Sequence, residues 1–439
     1  MRTSYNRSYI YEDVSIPIVF AWEELIASVL VLVPALFNDI LSYSMRNVML
    51  LAGFAMVICL FLRHKDFNLA RIGIGYGWLL FAIVVISGRF VGGSELRFAQ
   101  MAFPIISFIS CMATSSTSWL KVMFGCAVVL LSIHLTATLV FYVAPDLYLQ
   151  TIKTRFFLED VNAVGYQSGL TAHFSNNGFI MATGFLLTAC LALNAKGRVR
   201  RWWIALAALF FLGLALTQKR AHLVFGIAAF ALLFIVTGKR GKVFRVCAFA
   251  IGITTAFVVA IRMIPGVALS FERLTSTLES GDIAEITTGR TFLWEEAIRG
   301  WREHPMFGNG WGSYVYVWPG GNTSIYAHNE ILQMLHDTGV VGTGLFLCLA
   351  IGSFALAVRN LKDMKRSAGT GHTYEMCAAC FALSFEFFCL IYSCTTGTLL
   401  QQPLVFIPYL MSVGMSTAIR SRISDERSVQ HMGTEVRYA

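Results

Sequence analysis

The chain has 439 residues, of which 56% are hydrophobic and 13% are charged. Soluble globular domains carry roughly 25% charged residues, so this composition excludes an ordinary soluble protein and predicts a polytopic membrane protein. The net charge of +9 does not predict a nucleic-acid partner, because the charged residues form short clusters between apolar segments.

Apolar segments of about the length needed to cross a bilayer recur along the whole chain. They predict an all-α bundle of about twelve transmembrane helices, at residues 17–37, 47–62, 72–88, 98–115, 119–144, 177–194, 202–217, 222–237, 246–263, 338–358, 374–394 and 401–419. No small-residue cleavage site follows a short apolar core near the N-terminus, so the first span is predicted to be a retained anchor.

Orientation follows from the distribution of the 34 lysines and arginines. Most of them fall in alternate connections when the N-terminus is placed in the cytoplasm, as the positive-inside rule requires. Both termini are therefore predicted to be cytoplasmic. The chain divides into a bundle of nine spans over 1–263, a long outer loop with an amphipathic helix over 264–337, and three further spans with a cytoplasmic tail over 338–439.

Two cations, Lys219 and Arg220, stand at the outer end of the seventh predicted span, in LALTQKRAH. The turn there is too short to hold them far from the bilayer, and cations at this depth on the outer side oppose the charge bias. A functional site explains them, and snorkelling to lipid head groups is the structural alternative.

The longest polar interval covers residues 287–342 and contains GRTFLWEEAIRGWREHPMFGNGWG and AHNEILQMLHDTGVVG. Its first part predicts a helix that Thr291 caps and that ends before Pro305. One predicted face carries Trp294, Ala297, Ile298 and Trp301. The other carries Glu295, Glu296, Arg299 and Arg302. Two tryptophans on one face suit a membrane–water boundary, and packing on a loop explains the same pattern.

Arg290 precedes this helix, and Arg299 lies within it. Planar guanidinium groups bind phosphate through two parallel hydrogen bonds, so these arginines predict an anion site on the outer side. His328 lies before a second predicted helix with Asn329 as its N-cap. A histidine with an ordinary pKa of about 6.5 can accept a proton at neutral pH, whereas a lone histidine is more often structural.

The second helix is predicted to bury Ile331, Leu332 and Leu335. Two further histidines are predicted to be structural: His304 at a helix end beside proline, and His336 near the helix end at Gly339. No histidine spacing in the interval matches a zinc site, so no metal is predicted.

These segments resemble the O-antigen ligase and O-antigen polymerase superfamily of bacterial envelope glycosyltransferases, which includes exopolysaccharide polymerases. The resemblance lies in the two segments of the polar interval, in LALTQKRAH and in GLTAHFSNNGFIMATGFLL. The pairing of HPMFGNGWG with HNE is its most specific part. The number of spans and the long loop after the ninth span agree with it.

The resemblance implies an inverting transferase of the bacterial inner membrane that works at the periplasmic face without a metal, a cofactor or a nucleotide sugar. It implies that His328 is catalytic and that Arg220 and Arg290 hold the pyrophosphate of the donor. Lys219 departs from the serine that the family commonly has there, and we expect it to add a second phosphate contact. The secondary site candidates are Arg299, Asn329 and Asn177.

The implied partners are an undecaprenyl-pyrophosphate-linked glycan donor, a glycan or lipid A–core acceptor, and membrane lipid, with a chain-length regulator as a further candidate and no nucleic acid. A polymerase uses another lipid-linked repeat unit as acceptor and a ligase uses lipid A–core; polymerase is slightly favoured, because nothing indicates a dock for lipid A–core. A transporter or flippase predicts ionisable groups near the membrane midplane and two related halves. A structural scaffold leaves Lys219 and Arg220 unexplained.

Overall fold

The computed structural model describes residues 22–63, 73–91, 120–156, 166–237, 290–321, 323–324, 326–366, 373–395 and 399–438. The predicted spans at 98–115 and 246–263 and the loop residues 264–289 lie outside these ranges. The longer helices are α1 (Trp22–Leu36), α2 (Tyr43–Arg63), α3 (Ile74–Val91), α4 (Leu120–Val143), α5 (Phe174–Asn194), α6 (Gly197–Leu216), α7 (Arg220–Val236), α8 (Arg290–Glu303), α9 (Glu330–Arg366), α10 (Thr373–Ser393) and α11 (Pro403–Tyr438).

Short elements occupy two connections. Helical turns at Pro145–Tyr148, Leu149–Lys153 and Thr154–Phe156 follow α4. Strands β1 (Tyr316–Val317) and β2 (Thr323–Ser324) pair antiparallel between α8 and α9, with Tyr316 opposite Ser324.

Seven of the described helices are long and apolar enough to cross a membrane, and α3 and α7 carry shorter apolar segments. Each predicted span that falls on described residues coincides with a helix. The all-α polytopic membrane class is therefore confirmed. The full number of spans, the orientation and the division into three parts stay predictions.

Helices α5, α10 and α11 form the inside of the bundle, since most of their apolar residues are buried. The Phe179 ring of α5 lies 5.5–5.9 Å from the rings of Phe385, Phe388 and Tyr392 of α10. Helices α2, α4 and α6 instead expose large apolar side chains, such as those of Leu51, Val129 and Trp202. Such a surface suits contact with lipid tails, which are as apolar as leucine.

Helix α8 ends at Glu303, before Pro305, as predicted, but it begins at Arg290. Thr291 lies inside the first turn, so its predicted capping role is wrong. The buried residues of the helix are Leu293, Ala297 and Gly300, so the predicted Trp-bearing face is only partly correct.

The two tryptophans of α8 are anchored to the polypeptide. Trp294 Nε1 donates a hydrogen bond to the Ala327 carbonyl at 3.1 Å, and Trp301 Nε1 donates one to the Pro305 carbonyl at 3.1 Å. These bonds fit the interpretation in which the helix packs on its own loop.

Helix α9 begins as predicted, with Asn329 Oδ1 accepting a hydrogen bond from Leu332 N at 3.1 Å. Its backbone is interrupted at Gly339. The prediction that Ile331, Leu332 and Leu335 are its buried residues is only partly correct, since all three are half-buried and Leu332 packs on the buried cluster around Leu293. The first part of α9 buries Glu330, Gln333, Met334, His336 and Asp337. The reason is that the preceding loop folds over this polar face and hydrogen-bonds to it.

Candidate active site

The main predicted site residues share one position in their elements, because each stands in the first turn of a helix or directly before it. Lys219 and Arg220 start α7, Arg290 starts α8, and His328 and Asn329 precede α9. The N-terminus of a helix carries a partial positive charge and unpaired amide groups, and it therefore favours anions.

Lys219, Arg220 and Arg290 form one group of cations. Burial, followed by the positive charges of Arg290 and then Arg220, lowers the pKa of Lys219 to about 8. Burial also lowers the pKa of Arg290. The structure thus brings together the three residues predicted to hold pyrophosphate, and that role stays a prediction.

Local contacts fix two of these cations. Lys219 Nζ lies 4.2 Å from the centre of the Phe174 ring, a cation–π contact with the first residue of α5. The Arg290 guanidinium donates a hydrogen bond to the Thr395 carbonyl, directly after α10. Like charges at helix N-termini repel one another and the helix dipoles, so this group is best stabilised by a bound anion.

His173 belongs to the same group and was not predicted from the sequence. It caps α5, since its Nδ1 accepts a hydrogen bond from Ser175 N at 3.0 Å, and this leaves the proton of the neutral ring on Nε2. Burial, followed by the charges of Lys219 and His328, lowers its pKa to about 4. The GLTAHFSNNG segment was the available signal, although histidine is not a preferred capping residue.

His328 is half-buried, and its backbone has a φ of 53°, in the left-handed region. Such strain costs on the order of 1–3 kcal/mol and clusters at functional sites. Within the described residues, the other non-glycine residue with positive φ is Gln218, at 55°, directly before Lys219. One strained residue, His328, is thus itself a predicted site residue, and the other, Gln218, directly precedes one.

The neighbours of His328 are fixed by hydrogen bonds. Ala327 N donates to Gln333 Oε1 at 2.8 Å, and the Ala327 carbonyl receives the bond from Trp294. Asn329 Nδ2 donates to the Cys394 carbonyl at 2.9 Å. Asn329, the residue after His328, and Arg290 thus both bond to carbonyls just after the end of α10.

The loop before α9 is organised around Asp337, which was not predicted as important. Its Oδ2 accepts hydrogen bonds from Gly312 N at 2.9 Å, Gln333 Nε2 at 3.1 Å and Gln401 Nε2 at 3.1 Å. His336 Nδ1 lies 2.9 Å from its Oδ1. His336 is buried in this network, in agreement with the structural interpretation of that residue.

Two glycines allow the loop to approach α9 at backbone distance. Gly308 has a φ of 70°, and a Cβ there would lie 2.4 Å from the carbonyl carbon of Asp337. Gly339 has a φ of 63°, and a Cβ there would lie 2.4 Å from the carbonyl carbon of Met306. This close packing gives a structural reason for a glycine at both places, within HPMFGNGWG and at the start of GVVG in α9.

The secondary candidates do not join the cations. Arg299 lies about two and a half turns after Arg290, on the opposite face of α8, where it is exposed and pairs with Glu296 at 2.5 Å. Asn177 is buried, and its Nδ2 donates to Thr138 Oγ1 and to the Gln167 carbonyl, both at 2.9 Å. Asn329 acts as the cap of α9. The exposed His304 follows α8.

The arrangement has two chemical capacities. Fixed cations at converging helix N-termini can hold a multiply charged anion and stabilise charge that develops on it. The imidazole of His328, whose charge, like that of Lys219, acts on His173, can accept a proton.

Residues 205–347 match the family described as O-antigen ligase. This match confirms the resemblance to the O-antigen ligase and polymerase superfamily, and it contains Lys219, Arg220, Arg290 and His328. A comparison with curated proteins gives no match.

Proposed function

We propose that this protein, in which residues 205–347 match the O-antigen ligase family, is a glycosyltransferase that uses a glycan carried on undecaprenyl pyrophosphate as its donor. The observation that carries the proposal is the grouping of Lys219, Arg220 and Arg290 at helix N-termini, with His328 and Lys219 both close enough to His173 to lower its pKa. A lipid diphosphate matches this site, because its anionic head needs fixed cations while its tail stays in the bilayer beside the helices.

The cations bind the donor and stabilise its departure. Arg220 and Arg290 can each hold a phosphate through paired hydrogen bonds, and the anion favours the protonated form of Lys219. Negative charge grows on the phosphate oxygen as its bond to the anomeric carbon breaks. Fixed cations in a water-poor site stabilise that charge without reorganising.

His328 serves as the base. A hydroxyl oxygen of the acceptor sugar attacks the anomeric carbon from the face opposite the diphosphate, so a new carbon–oxygen bond forms with inversion. The hydroxyl proton passes to the His328 imidazole, and the lipid diphosphate leaves. His173 does not compete for this proton, since its pKa of about 4 keeps it neutral.

The acceptor distinguishes two activities. We place polymerisation first, with a second lipid-linked repeat unit as acceptor, because no described feature indicates a dock for lipid A–core. Ligation is the second candidate, and the description of the matching family favours it. In both cases we place the reaction at the periplasmic face of the inner membrane.

The lipid-linked glycans of a deletion strain test the proposal. Loss of a polymerase leaves single repeat units on the lipid, whereas loss of a ligase leaves long chains on it. Wild-type protein and the His304→Ala variant should restore the normal pattern, and His328→Ala should not. An unchanged lipid-linked pool in the deletion strain would contradict both activities.

A further inference from the structure

His222 is a buried residue that the reaction described above does not use. It lies in the first turn of α7, two residues after Arg220, and its exposed fraction is 0%. Neither Nδ1 nor Nε2 has a hydrogen-bond partner among the described residues. A buried polar group left unpaired destabilises a protein by about 1–3 kcal/mol, so its presence calls for a physical reason.

The position of the ring supplies that reason. A Cβ placed on Gly178 of α5 would lie 3.3 Å from Lys219 Cβ and 3.4 Å from His222 Cδ2, so the lysine and the histidine pack on the same point of α5. The ring also meets Tyr392 of α10 edge-on, with centroids 4.9 Å apart. Tyr392 is within electrostatic range of Arg290. His222 is therefore a fully buried ring that packs beside Lys219 and against Tyr392, the tyrosine near Arg290.

We propose that His222 forms the floor of the diphosphate site and donates a hydrogen bond from a ring nitrogen to a phosphate oxygen of the donor lipid. This inference rests on the proposed function, because it takes the same lipid diphosphate as ligand. Phosphate oxygens only accept hydrogen bonds at neutral pH, so they complement the N–H of an unpaired imidazole. A neutral donor adds a contact without adding a fourth like charge to the group.

The His222→Phe variant separates a ligand-binding role from a packing role. Phenylalanine keeps a flat ring against Tyr392 and removes both nitrogens. The thermal unfolding midpoint of the ligand-free protein should stay unchanged or rise, because an unpaired polar group is removed. The Kd for undecaprenyl diphosphate, measured with purified protein in nanodiscs, should rise about 10- to 100-fold, the range for losing a hydrogen bond to a charged group.

His134→Phe is the matched control. His134 of α4 is also a histidine that is 0% exposed. It packs on Phe37 instead, with centroids 4.3 Å apart. His134→Phe should leave the Kd within about twofold of the parent value, since this ring is not part of the cation group.

The outcomes are distinguishable. An unchanged Kd for His222→Phe, in a parent protein that binds undecaprenyl diphosphate, overturns the inference alone. If the parent protein binds undecaprenyl diphosphate no more tightly than Arg290→Lys does, the proposed function is contradicted. If His222→Phe does not fold, the comparison of His222→Gln with His222→Leu carries the test. The glutamine amide can donate a hydrogen bond, so His222→Gln should bind undecaprenyl diphosphate at least tenfold more tightly than His222→Leu. Equal affinities of the two variants overturn the inference.

Discussion

His328 is held in place by its neighbours and not by its own backbone preference. Its left-handed backbone is unusual for a residue with a side chain, and hydrogen bonds on Ala327 and Asn329 maintain it. The sequence made His328 a candidate catalytic residue through HNE, but it did not predict this strain. Nothing in the residue type encodes a left-handed conformation that tertiary contacts impose.

Lys219 provides a pH-dependent prediction at this scale. Its folded pKa of about 8 lies below its ordinary value of 10.5, so the unfolded chain holds the proton up to a higher pH. The free energy of unfolding of the ligand-free protein should therefore rise between about pH 8 and 10.5. Affinity for undecaprenyl diphosphate should fall over the same window, as the lysine loses its charge.

Lys219→Arg is the comparison, because arginine keeps its charge throughout this range. It should bind undecaprenyl diphosphate with little change in Kd between pH 8 and 10. An equal alkaline loss of affinity in the parent and in Lys219→Arg would assign the pH dependence to another group.

His173 gives the corresponding prediction on the acidic side. Its folded pKa of about 4 is below its ordinary value of 6.5, so the unfolded chain binds the extra proton between these values. Stability should be lost as pH falls from about 6.5 to 4. His173→Asn keeps an N-cap acceptor for Ser175 N and should show a shallower loss in chemical denaturation. A parallel loss in both proteins would exclude His173 as the cause.

At the scale of the elements, the feature to test is the close backbone approach between the GNGWG turn and α9. At Gly308, an alanine would need a left-handed backbone, which costs about 1–2 kcal/mol, and its Cβ would lie 2.4 Å from the Asp337 carbonyl carbon. Gly308→Ala should therefore lower the thermal unfolding midpoint and transfer activity together. Gly320→Ala is the control, since a Cβ there has no atom within 4 Å and both quantities should stay near the parent values.

If Gly308→Ala matches Gly320→Ala in both stability and activity, the close approach of the GNGWG turn to α9 does not support the site.

Elements were predicted best where local chemistry decides them. Pro305 correctly ends α8, and Asn329 correctly caps α9, because each acts on adjacent backbone. The buried face of α9 was predicted only in part, since its polar residues are buried around Asp337. The partners of that carboxylate, Gly312 and Gln401, are far from it in sequence, and no periodic pattern connects them.

At the scale of the molecule, hydropathy was enough to predict the helices on the described residues, because crossing a bilayer requires long apolar segments. The meeting of the starts of α7, α8 and α9 was not visible in that pattern. It depends on which helices are neighbours in space. His173 was missed for this reason, as it joins the group from the start of α5.

Orientation is a prediction for the whole chain. Gly320 and Arg198 are both exposed. Gly320 is in the loop that is predicted to lie outside, and Arg198 is at the end of α6 that is distant from Lys219. The labelling of the parent's own cysteines is subtracted as background. Gly320→Cys should then react with a membrane-impermeant thiol reagent in cells whose inner membrane is intact. Arg198→Cys should react only after that membrane is permeabilised. The reverse pattern would place the site in the cytoplasm.

Transfer by the purified protein in liposomes tests the central claim most directly. With undecaprenyl-pyrophosphate-linked repeat units as donor and acceptor, or with lipid A–core as acceptor, the parent protein should form a new glycosidic bond and release undecaprenyl diphosphate. His328→Ala should bind the donor normally but react about 10²–10⁴-fold more slowly, and His304→Ala should react normally. Near-parental turnover by folded His328→Ala, or no release of undecaprenyl diphosphate by the parent with either acceptor, would contradict the account.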